Sequence, residues 1–66
     1  MSFKECENLV GEYFKINPYP HHWLKEPLEL IRLSNGVLTF FVKRGSTEVR
    51  FDLSEKDFKA YTVTKI

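Results

Sequence analysis

A single cysteine, three glycines, three prolines and a net charge of only +1 mark what this 66-residue sequence has little of. Cys6 alone cannot close an intramolecular disulfide, so the bridge-stapled scaffold usual for secreted domains of this size is excluded and a reducing, cytoplasmic setting is expected. Ten basic against nine acidic side chains give no net field that would gather phosphates or anionic lipid. No apolar run approaches the roughly 18 residues of a membrane helix. The opening Met1-Ser2-Phe3-Lys4-Glu5 places charges where a signal peptide needs its apolar stretch, so a soluble chain with no membrane partner is expected. Glycine-rich phosphate loops, a recognisable pair of catalytic carboxylates and a nucleophile elbow are all missing. The expectation is a protein that is not an enzyme and holds no cofactor.

What is there suffices for folding: 42% hydrophobic, 15% aromatic and 29% charged residues are ordinary for a globular chain. At this length only about 60% of the unfolded chain's surface can be buried. That fits one small domain over residues 1–66 and leaves no room for a large enclosed cavity. Burial and ordering entropy nearly cancel in such a chain, and self-association is one ordinary remedy.

Ser2 followed by Glu5 is a capping-box pattern. Behind it Phe3, Cys6, Leu9, Val10, Tyr13 and Phe14 recur at helical spacing, predicting an amphipathic helix over 3–16 that Asn17-Pro18 stops. Gly11 weakens that helix by about 1 kcal/mol relative to alanine. Residues 17–27 hold all three prolines, His21, His22 and the only tryptophan. They read as an ordered connector, because Tyr19, Trp23 and Leu24 carry apolar area worth burying.

Asn35-Gly36 is the type I′ hairpin dipeptide, flanked by strand-forming residues over 28–34 and 37–44. Its two-residue loop predicts Ser34 opposite Val37, Leu33 opposite Leu38, Arg32 opposite Thr39, Ile31 opposite Phe40 and Leu30 opposite Phe41. A second turn at Gly45-Ser46 sets Arg44 against Thr47, Val42 against Val49, Phe40 against Phe51 and Leu38 against Leu53, with a third strand over 47–53. Both registers collect Ile31, Leu33, Leu38, Phe40, Val42, Val49, Phe51 and Leu53 on one face. The fold expected is α+β, with the N-terminal helix packed on a three- to four-stranded antiparallel meander. Residues 54–66 are read as a helical turn, with a hairpin loop as the other option, followed by a short strand from Thr62.

The opposite face then carries Leu28, Leu30, Val37 and Phe41 among Arg32, Thr39, Lys43, Glu48, Arg50 and Asp52. A solvated sheet face is normally polar, so something covers part of this one: the connector or the C-terminal segment of the same chain, or a partner. The leading expectation is a non-enzymatic interaction or regulatory module that binds a protein, a second copy of itself included, with Tyr19, Trp23, Leu30 and Phe41 as contacts. The alternative is a single-stranded nucleic-acid binder using Phe41 for stacking and Arg32, Lys43 and Arg50 for phosphates. Against it, Lys43 faces Glu48, and Arg32 shares a row with Asp52. His21 and His22 are adjacent in an extended segment, point apart and have no ligand spacing with Cys6, so no metal site is expected. Cys6, on the apolar stripe, reads as a small hydrophobe.

Overall fold

Asn35 and Gly36 adopt φ of 52° and 74°, the paired positive values that a type I′ turn requires. Around them, and around Gly45 with φ of 60°, the chain folds back twice to build the centre of the sheet. The computed structural model describes residues 1–18 and 26–66. Tyr19, His21, His22 and Trp23, and with them the expected cover from the connector, lie outside the described residues. The elements run α1 (Phe3–Cys6), β1 (Tyr13–Asn17), β2 (Leu28–Ser34), β3 (Val37–Arg44), β4 (Thr47–Ser54), α2 (Glu55–Phe58) and β5 (Thr62–Lys65). They form an α+β fold in which one antiparallel sheet, ordered β4-β3-β2-β1-β5, is accompanied, among the described residues, by two one-turn helices. Among the described residues no helix is long and apolar enough to cross a membrane.

The long N-terminal helix is the main correction. Helix ends after Cys6, with Glu7 as its C-cap, and the chain turns through Gly11 at φ of 100° into β1. The capping box at its start is present: Glu5 N–H donates to Ser2 Oγ at 3.2 Å and Ser2 N–H to Glu5 Oε1 at 2.7 Å. The helical stripe failed because Tyr13-Phe14-Lys15-Ile16-Asn17 also alternates. As a strand it buries Phe14 and Ile16 and exposes Tyr13, Lys15 and Asn17, and it gains backbone partners on both sides, from β2 and from β5. One-turn helices gain little by propagation, so the doubly paired strand wins. The sheet therefore has five strands instead of three or four.

Between β3 and β4 every predicted pair is present, from Arg44 opposite Thr47 to Leu38 opposite Leu53. Between β2 and β3 the register holds from Ser34 to Arg32 and then shifts, setting Leu30 opposite Phe40 and Glu29 opposite Phe41. Ile31 occupies the bulge and is 42% exposed. A regular strand would have turned Glu29 and Ile31 to the core; the bulge instead delivers Leu28 and Leu30, both fully buried, and leaves the carboxylate outside. Avoiding a buried unpaired charge outweighs the disturbed ladder.

Among the described residues the core comprises Phe3, Cys6, Phe14, Ile16, Leu28, Leu30, Leu38, Phe40, Leu53, Phe58 and Val63. Phe14 meets Phe40 edge-on at 5.7 Å, and Phe3 meets Phe58 at 5.7 Å, joining α1 to α2. Ser54 caps α2 by accepting from Asp57 N–H at 3.2 Å. Leu9, Leu33, Val42, Phe51 and Tyr61 close the margins of the core.

Candidate functional site

With the core on one side of the sheet, the other side is assembled by the strand registers. Tyr13 pairs with Glu29, Glu29 with Phe41 and Phe41 with Arg50, so one continuous row crosses four strands. The next row is Arg32, Thr39 and Asp52. Tyr13 is 51% exposed, Ile31 is exposed at its bulge, and Val37 and Phe41 are half-buried. Apolar and charged side chains thus alternate across a surface that the core does not use.

The sequence candidates divide on this surface. Phe41 lies on it, centred in the four-strand row. Leu30 does not: the bulge turns it into the core, its N–H donates to Glu12 C=O at 3.0 Å, and its C=O accepts from Gly11 N–H at 2.7 Å. It is therefore removed from the contact set, as is Leu28 from the face. Tyr13 and Ile31, assigned to the core by spacing, are instead exposed here. The alternation in Tyr13–Asn17 was the signal for the first, and the charge on Glu29 was the signal for the second.

The cations have acidic neighbours. Lys43 Nζ sits 3.9 Å from Glu48 Oε2, and Arg50 Nε 3.8 Å from Asp52 Oδ1. Arg44, at the end of β3, lies 3.1 Å from Glu26. All three pairs are well exposed, so each contributes little to stability. Arg32 has no ion-pair partner among the described residues. Asp52 also accepts the Thr39 hydroxyl at 2.7 Å, which satisfies a side chain only 1% exposed in the middle of the face.

Away from this face, Cys6 is fully buried, and burial pushes its thiol pKa up. A raised pKa keeps the sulfur protonated and weakly nucleophilic. An open groove between α1 and α2 is lined by Met1, Phe3, Glu55, Phe58, Lys59 and Tyr61. Compared with protein-family models, with curated proteins and with solved structures, the chain matches none.

Proposed function

We propose that this protein is a non-enzymatic interaction module that binds a protein partner through the face bearing Tyr13, Glu29, Ile31, Phe41 and Arg50. The observation that carries the proposal is the unbroken row Tyr13–Glu29–Phe41–Arg50 across four strands. It places two aromatic side chains two strands apart with a carboxylate between them and a guanidinium at the end. Aromatic and arginine side chains are the residue types that anchor protein interfaces, and a sheet fixes their spacing rigidly. Of the three cations that phosphate contact would use, Lys43 and Arg50 are already beside Glu48 and Asp52 and Arg32 alone has no ion-pair partner among the described residues, which favours a protein over a nucleic acid.

Quantitative capture from the native cell, comparing wild type with Tyr13→Ser and Phe41→Ser, tests the reading. A defined set of proteins retained by wild type and lost by both folded variants is the expected result. Identical capture by all three chains would overturn it. So would binding to single-stranded nucleic acid that weakens with added salt and with Arg50→Glu, since that dependence belongs to phosphate contact.

A further inference from the structure

We propose that β4 is a self-complementary edge through which two copies of this chain pair antiparallel about Phe51, joining their sheets into one. This goes beyond the face reading: it concerns the β4 edge, which shares only Arg50 with that face, and it commits to a second copy as the occupant.

β4 ends the sheet, and among the described residues no strand pairs with its other side. The direction of its backbone follows from the turn. A two-residue hairpin closes on a hydrogen-bonded pair, here Arg44 and Thr47, so Thr47, Val49, Phe51 and Leu53 turn their backbone groups to β3. Leu30, opposite Phe40, agrees with this assignment: its N–H and C=O go to Glu12 and Gly11, leaving Phe40 to bond Phe51. Glu48, Arg50 and Asp52 consequently present their N–H and C=O groups outward. A row of unpaired backbone groups is a template for another strand.

Charge selects the register. In a two-fold antiparallel pair, each residue meets a partner on the same face of the joined sheet. An axis through Arg50 would set arginine against arginine and Glu48 against Asp52, all like charges. An axis through Val49 would set Glu48 against Arg50 but run the pairing into the Gly45-Ser46 turn. An axis through Phe51 sets Arg50 against Asp52 of the other copy, twice. Because Arg50 already lies 3.8 Å from its own Asp52, the four charges close into an alternating ring. Those two pairs alone supply about four backbone hydrogen bonds.

The other side of the strand has matching room. Phe51 is half-buried and meets Tyr61 edge-on at 5.2 Å, beside an open groove of about 340 Å³ lined by Phe51, Asp52, Leu53, Lys56, Ala60 and Tyr61. The facing Phe51 of a second copy enters that groove, and the start of α2 at Glu55 ends the pairing. A chain this short gains core by doubling.

Sedimentation of the full chain from low micromolar to near-millimolar concentration should show monomer passing to dimer. Arg50→Asp, which leaves the Thr39–Asp52 bond untouched, and Asp52→Arg should each weaken association by roughly tenfold or more. The double swap Arg50→Asp with Asp52→Arg restores opposite charges and should restore the dimer. Phe41→Ser should leave the dimer intact, so this proposal and the face reading fail separately. In wild type, amide exchange at Glu48, Arg50 and Asp52 should slow as concentration rises. A strict monomer throughout, a dimer indifferent to the charge reversals, or concentration-dependent protection on β5 in place of β4 would overturn the proposal.

Discussion

Leu30 stands directly opposite Phe40, although the turn at Asn35-Gly36 alone would have set Ile31 there. One displaced residue therefore decides which side chains of β2 belong to the core. Leu30→Ala should cost roughly 2–5 kcal/mol, the range for a fully buried leucine. Ile31→Ser, at the exposed bulge, should cost about 1 kcal/mol or less. Urea denaturation of the two variants checks this; a regular strand would give the reverse order.

The bulge also shows how far the sequence could be read. The hairpins were legible because Asn-Gly and Gly-Ser turns leave one register each, and because Leu38, Phe40, Phe51 and Leu53 agree on a face whichever hairpin is considered. The C-terminal turn was legible from Ser54 as a cap. Ile31 was misplaced because uniform alternation is a local rule, while keeping Glu29 out of the core is a requirement of the whole sheet. Tyr13 was misplaced because residues 3–14 satisfy a helical period, and only pairing with β2 and β5, distant in sequence, favours the strand. Phe41 lies on the outer face opposite Arg50 as expected, since that register descends from the undisturbed Gly45-Ser46 turn, whereas Leu30, beyond the bulge, does not.

Thr39 and Asp52 should be energetically coupled. The Thr39 hydroxyl is nearly inaccessible and donates to Asp52 at 2.7 Å, so Asp52→Ala leaves a buried donor without its acceptor and should cost about 1 kcal/mol or more. In a Thr39→Val background the same substitution should cost clearly less. A double-mutant cycle by denaturant unfolding measures the difference, and equal costs in both backgrounds would show that the hydrogen bond contributes nothing.

The N-terminal turn should loosen in acid. Hydrogen bonds from the Ser2 backbone and then the Ser2 side chain hold the Glu5 carboxyl below the ordinary carboxylate range. A depressed folded-state pKa contributes stability that is present above the unfolded value and is lost as pH falls through the folded one. The stability difference between wild type and Glu5→Gln should therefore be constant near neutrality and shrink in acid. Ser2→Ala should cost about 1 kcal/mol at neutral pH. Unfolding curves across a pH series test both, and a difference that grew on acidification would contradict the capping account.

The central claim is that the row Tyr13–Glu29–Phe41–Arg50 is a binding surface, and backbone chemical-shift mapping with the captured partner tests it most directly. Titrated into labelled protein, that partner should perturb Tyr13, Glu29, Ile31, Phe41 and Arg50 together and leave α1 and α2 unchanged. Perturbations confined to the α1–α2 groove around Phe3 and Phe58, with the four-strand row silent, would contradict it.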